Sequence, residues 1–371
     1  MGMVLKFKTW LMTKAMEYKR KKDPFDGRKA DLFELPADAD GMCNNSYFFG
    51  ANGSDGHSLI MRVGKRNMPL CEIFVIYVTP EGHLYTSVKD HYPTDACPMK
   101  VKCIEPEKHF KIWFEDELLD TKTGKTLPCK YELDFHATLP IFDAMQHSDF
   151  RGMARAFARP KWNKQFFKEA SGDTGVAKIK GEKIKTANIP QRHYEQAGHF
   201  TGKMILDGKE ITIDMPGSRD HAYGKRDWNY MSDHIWIMAT TEKGETFNFS
   251  LVDYPKVEGV FCGYSNIGLD HDESLIDYKI IEWDAADGKA PDKFVLDCTF
   301  TDSTSASGEK TVRITAKRDN NLYLTFQNCD PNQKTVFFFQ EGVGEIDFGG
   351  VKARGSIEYG FNPDRSRWKI K

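Results

Sequence analysis

The chain has 371 residues, 40% hydrophobic, 29% charged and 13% aromatic, with a formal net charge of -2. That length allows two cores of ordinary size. The near-neutral balance lacks the basic footprint of a nucleic-acid binder, and no apolar run approaches the ~20 residues of a membrane span.

Residues 3–22 read as a helix, with Val4, Phe7, Leu11 and Tyr18 on one stripe and Lys14, Lys19, Arg20, Lys21 and Lys22 making it basic. This predicts a terminal helix that docks on the body through its apolar stripe. A peripheral membrane contact is the second reading. Lysines throughout Met1–Lys22 speak against a secretory signal. The eight cysteines form no Cys-x-x-Cys pair and read as small buried residues of a reducing, cytoplasmic protein.

From about residue 45 the pattern turns to strands. His57–Val63, Cys71–Val78 and Leu84–Lys89 are β-rich runs bounded by Gly and Pro. In Lys130–Leu139, Tyr131, Leu133, Phe135, Ala137 and Leu139 share one face while Glu132, Asp134, His136 and Thr138 share the other, as in a half-buried strand. Residues 148–170 suggest two short helical pieces around Pro160, and the Lys/Gly-rich stretch 171–188 suggests a linker. Strands resume at 191–206 and recur to Tyr359. Short strands with few helices predict closed antiparallel sheets, hence an all-β protein of two barrels. The partition is a helical extension over 1–30, a first barrel with linker over 31–188 and a second barrel over 189–371.

Polar chemistry concentrates in 217–228, where Arg219, Asp220, His221, Tyr223, Arg226, Asp227 and Trp228 fall together. A hairpin follows. With a four-residue loop at 242–245, Met238 faces Phe249, Trp236 faces Leu251, and His234 meets Asp253 in a polar pair. This hairpin is expected to be buried on both sides. No nucleophile elbow, phosphate loop, dinucleotide fingerprint or His-Glu-x-x-His motif is present. His193 and His199 do not make a metal site, so neither metal nor cofactor is expected.

The run His193-Tyr194-Glu195-Gln196-Ala197-Gly198, then Gly202 and Gly208, then Gly217-Ser218-Arg219-Asp220-His221-Ala222-Tyr223-Gly224 with Arg226-Asp227-Trp228, resembles the AttH-type proteins. These are related to carotenoid hydratases (hydroxyneurosporene synthases) and to lipocalin-like pericyclases. The resemblance implies two lipocalin-like barrels and an apolar ligand such as a terpenoid, steroid or polyketide. It also implies chemistry without a redox cofactor, such as water addition to an alkene or cyclisation. Ala222 stands where Ser is usual, and Tyr223 where Trp is common.

Two functions follow. In the first, an acid/base hydratase, lyase, isomerase or cyclase uses Asp220 as principal acid or base, with His221 or His193 as its partner. Arg219 and Arg226 orient carboxylates, and Tyr223, Trp228 and Trp236 shape the pocket, with His234 and Asp253 beside them. In the second, a carrier binds a hydrophobic molecule unchanged, and the Arg–Asp pairs only brace the barrel.

Overall fold

In the computed structural model the described residues are 2–39, 43–66, 70–163, 166, 191–225, 231–254, 257–283, 290–319, 324–328 and 337–363. Helices α1 (Met3–Lys22) and α2 (Gly27–Asp31) precede strands β1 (Cys43–Asn52), β2 (Ser58–Arg66), β3 (Leu70–Val78), β4 (Leu84–Ser87), β5 (His91–Pro93), β6 (Met99–Glu105), β7 (His109–Asp120), β8 (Thr126–Ala137) and β9 (Phe142–Asp143). Helices α3 (Ala144–His147) and α4 (Arg151–Ala158) come next, then β10 (Arg192–Leu206) and β11 (Lys209–Lys225). The remaining strands are β12 (Asp233–Thr240), β13 (Thr246–Tyr254), β14 (Val257–Ser265), β15 (Glu273–Trp283), β16 (Lys293–Thr301), β17 (Glu309–Arg318), β18 (Leu324–Asn328), β19 (Phe337–Glu341), β20 (Val343–Phe348) and β21 (Val351–Phe361).

Two closed antiparallel barrels result, as expected. The first runs β11-β1-β2-β3-β4-β7-β8-β10 and closes where β10 pairs with β11. The second runs β12-β13-β14-β15-β16-β17-β20-β21 and closes where β21 pairs with β12. The partition at 188 is therefore corrected: β10 and β11, with the Arg-Asp-His run, complete the first barrel rather than open the second. The linker expected at 171–188 lies outside the described residues.

Both interiors are filled by side chains. Phe49, Phe110, Phe135 and Phe200 centre the first core, and Phe247, Phe249, Phe294, Phe300 and Phe348 the second. A third core forms between the barrels, from Phe48, Ile60, Phe74 and Ile76 of the first and Trp236, Met238 and Val343 of the second. This explains why β1 to β3 and β12 are buried on both faces rather than alternately.

The β10–β11 hairpin turns at Asp207-Gly208, both at positive φ (49° and 76°), the two-residue type I′ geometry that matches strand twist. From there the register runs unbroken to Arg192 opposite Tyr223. The ribbon is tightly packed where Gly198 faces Gly217. A Cβ at Gly217 would lie 2.1 Å from the Gly50 carbonyl oxygen and 2.7 Å from the Phe200 ring.

The β12–β13 hairpin corrects the sequence reading. Thr240 pairs with Thr246, and the Thr241 amide donates to the Glu245 carbonyl, leaving a three-residue loop ending at Gly244 with φ 80°. The left-handed glycine makes the loop one residue shorter than expected, and a one-residue slip exchanges the faces. Ile235 and Ile237 therefore join Phe247 and Phe249 inside the second barrel, while Trp236 and Met238 face the seam.

Candidate functional site

Alternation along β11 divides the polar run between two environments. Arg219, His221 and Tyr223 point into the first barrel and toward the helical cap over it, whereas Asp220 points to the seam. The ladder sets Tyr194 opposite His221 and Gln196 opposite Arg219 on the inner face, and Glu195 opposite Asp220 on the outer one.

The inner set is a closed brace. Arg219 is fully buried and donates to both oxygens of Asp31, at 2.8 and 3.0 Å, and to Gln196 Oε1 at 2.8 Å, with its guanidinium 4.3 Å over the Phe110 ring. Asp31 also accepts from the Tyr194 hydroxyl at 2.9 Å and the Glu107 amide at 2.6 Å. His221 shares hydrogen bonds with the Tyr194 hydroxyl through Nδ1 and with Asn45 Oδ1 through Nε2, and stacks on Tyr47 at 3.9 Å. Burial, with the nearby Arg219 charge, holds the His221 pKa well below its usual value. Tyr223 stacks on Phe33 at 4.0 Å. Arg219 does brace the structure, but its partner is not the adjacent Asp220: it is Asp31, a carboxylate 188 residues away that sequence spacing does not point to.

The outer set carries the unusual chemistry. His193 contacts the Asp220 carboxyl group and lies 4.0 Å from Glu195, both contacts through Nε2. Glu195 Oε1 accepts from the Trp236 indole N–H at 2.7 Å, across the barrel seam. Desolvation raises the Glu195 pKa to about 7; His193 pulls it down, and Asp220 pushes it further up. The His193 side chain is 39% exposed, against 7% for Glu195, so the imidazole lies on the solvent side of the buried carboxyl. Phe142, opposite Glu195 on β9, stacks on Tyr264 at 4.2 Å, and Trp236 meets Phe48 edge-on at 5.1 Å. Cys262 and Tyr264 of the second barrel are close enough to Glu195 for its charge to help raise their pKa values.

Of the sequence-derived residues, Asp220, His193 and Trp236 thus meet, while His221, Arg219 and Tyr223 lie behind the same strand. His221 is therefore not the partner of Asp220. The expected His234–Asp253 pair does not form, because the slipped register puts His234 opposite Val252. His234 pairs with Glu358, and Asp253 accepts from the Gly259 amide at 2.6 Å. Arg226 and Trp228 lie outside the described residues. Glu195 was missed as a site residue, although Asp207-Gly208 signals a two-residue turn, and counting back from it places Glu195 across from Asp220.

Among the described residues two groups have donor atoms near enough together to hold a metal ion, His193, Glu195 and Asp220 at the seam and His109, Asp134 and His136. In the seam group, an ion would be held by the His193 imidazole and the carboxyl groups of Glu195 and Asp220.

A family model described as a domain of unknown function, DUF7064, matches residues 31–363. The chain belongs to this family. No curated protein matches it significantly. Among solved structures, an AttH-assigned protein from Nitrosomonas europaea aligns with a TM-score of 0.50 at 12% identity, over 91% of this chain and 97% of that one. Kievitone hydratase from Nectria haematococca aligns at 0.44 and 9% identity over 92% and 96%, and CghA at 0.42 and 8% identity over 86% and 87%. The AttH-type double barrel expected from the sequence is thus the fold of this chain. At such identities the likeness is one of fold, and function has to be argued from the site.

Proposed function

We propose that this DUF7064 protein is an acid/base enzyme acting on a hydrophobic small molecule at the seam between its barrels, as a hydratase, lyase, isomerase or cyclase. The observation that carries the reading is Glu195, a buried carboxyl with a pKa of about 7, oriented by the Trp236 indole and adjoining a solvent-reaching His193–Asp220 pair. A group titrating near neutral pH both holds and releases a proton readily, which is what a general acid needs.

In hydration, protonated Glu195 gives its proton to an alkene carbon, and the neighbouring carbon becomes cationic. Trp236, Phe48, Phe142 and Tyr264 offer π-faces to that charge. Water then attacks, and its excess proton passes to His193 in its neutral form or back to Glu195. Asp220 stabilises the imidazolium that forms. Elimination runs the same transfers backwards, while isomerisation or cyclisation replaces water by loss of a proton or by an internal nucleophile. The aromatic and aliphatic seam favours a lipophilic substrate of the terpenoid, steroid or polyketide kind.

The test is mass spectrometry of a lipophilic extract of the source organism incubated with the wild-type protein and with Glu195→Gln. Depletion of one compound, with a product of equal mass or one water different that Glu195→Gln does not make, is the expected result. A compound enriched on the protein but chemically unchanged would replace the enzyme by a carrier. Turnover abolished by a chelator and restored by a divalent cation would replace proton transfer by metal chemistry at the same three residues.

A further inference from the structure

Helix α1 docks, but not through the stripe that its sequence advertises. The side turned to the body carries Leu5, Thr9, Met12 and Met16, all half-buried. Lys8 donates to the Pro160 carbonyl, and Arg20 donates to the Met145 and Ser148 carbonyls while covering the Phe150 ring at 3.9 Å. The helix thus lies against α4 and reaches α3. On the opposite side, at helical spacing, stand Met3 (87% exposed), Val4 (73%), Phe7 (60%), Trp10 (56%), Leu11 (42%) and Tyr18 (60%). Lys14, Lys21 and Lys22 lie on this same side, and Lys6 flanks it, all exposed. The helix holds seven lysine or arginine residues and one acid, Glu17, in a chain of net charge -2.

We propose that the outward face of α1 seats on an anionic lipid surface, with the Met3–Tyr18 stripe at the headgroup boundary and the exposed lysines against lipid phosphates and carboxylates. A contiguous apolar stripe of this kind is costly in water. Its basic surround complements anionic lipid and opposes a second copy of the same positively charged helix, and this favours the membrane over self-association. Two side-chain ions on the docked face, Lys8 and Arg20, hold the helix to α3 and to the segments on either side of α4 and keep the stripe turned outward. The inference stands independently of any turnover at the seam.

The experiment is sedimentation of the full chain with vesicles of phosphatidylcholine alone and of phosphatidylcholine mixed with phosphatidylserine. Binding is expected to the mixed vesicles, with the pure ones far weaker, and to weaken as salt is raised. Phe7→Ser with Trp10→Ser should lower the partition coefficient by about tenfold or more per side chain. Lys14→Glu with Lys21→Glu should lower it by about fivefold or more per residue, and on the mixed vesicles only. Both pairs are exposed, so unchanged thermal unfolding serves as the control for folding. The proposal is overturned if the wild-type chain stays in the supernatant with phosphatidylserine vesicles, or if the Phe7/Trp10 variant binds them equally well. It is also overturned if light scattering shows a dimer that Phe7→Ser with Trp10→Ser dissolves while neither protein binds vesicles.

Discussion

Replacing Asp31 by alanine tests whether the arginine of the Gly-x-Arg-Asp-His run is a brace. Asp31 supplies both oxygens to the Arg219 guanidinium, and both side chains are fully buried. Removing one partner of such a pair leaves an uncompensated buried charge, at a cost of about 3–5 kcal/mol. The Tyr194 hydroxyl and the Glu107 amide lose an acceptor as well, adding roughly 1 kcal/mol. A total of about 5 kcal/mol corresponds to a fall in melting temperature of roughly 10–20 °C for a barrel of this size. Differential scanning calorimetry and urea unfolding would measure it, beside Asp31→Leu combined with Arg219→Met. The double variant removes both charges and should recover most of the loss, because paired buried ions are replaced by apolar packing. A single variant less stable by under about 1 kcal/mol, or a double variant no better than the single one, would refute the brace.

Glu195 has a second, thermodynamic signature. Its folded pKa of about 7 stands above the ordinary 4.5, so the folded state binds the proton more tightly than the unfolded chain does. Its contribution to stability is complete below about pH 4.5 and is lost as pH rises to about 7, a change of about 3 kcal/mol. Glu195→Gln should remove this slope, so wild-type melting temperature should drop more between about pH 5 and about pH 8 than that of the variant. Once a substrate is found, the same substitution should lower kcat/KM by roughly 100-fold or more. Asp220→Asn should also depress turnover while leaving the fold and ligand affinity largely intact, since the brace is on the other side of β11; full activity would remove Asp220 from the mechanism. Trp236→Phe deletes the indole N–H that favours ionised Glu195 and should move the alkaline limb of the pH–rate profile, where the acid is lost by deprotonation, up by about half a unit. An unchanged limb would mean that another group sets it.

The strand pattern and even the pairing of Glu195 with Asp220 are local properties of this sequence. Alternation with period two assigns Tyr131, Leu133 and Phe135 to a core face whatever the rest of the chain does, and the Asp207-Gly208 turn sets a register that continues through both of its strands. A short loop carries the opposite lesson. One residue fewer between β12 and β13 set Trp236 opposite Ser250 instead of Leu251 and separated His234 from Asp253.

Barrel closure alone decided which distant groups meet. Asp31 reaches Arg219 because α2 caps the barrel that β10 and β11 complete, and Trp236 reaches Glu195 because the two barrels pack outer face to outer face. Neither contact is encoded in any spacing along the chain, since each depends on how whole sheets curve and stack. The same holds for α1, whose apolar stripe is plain in the sequence, while its outward direction follows from Leu5, Met12 and Met16 packing on the body with Lys8 and Arg20 anchored to α3 and to the segments on either side of α4.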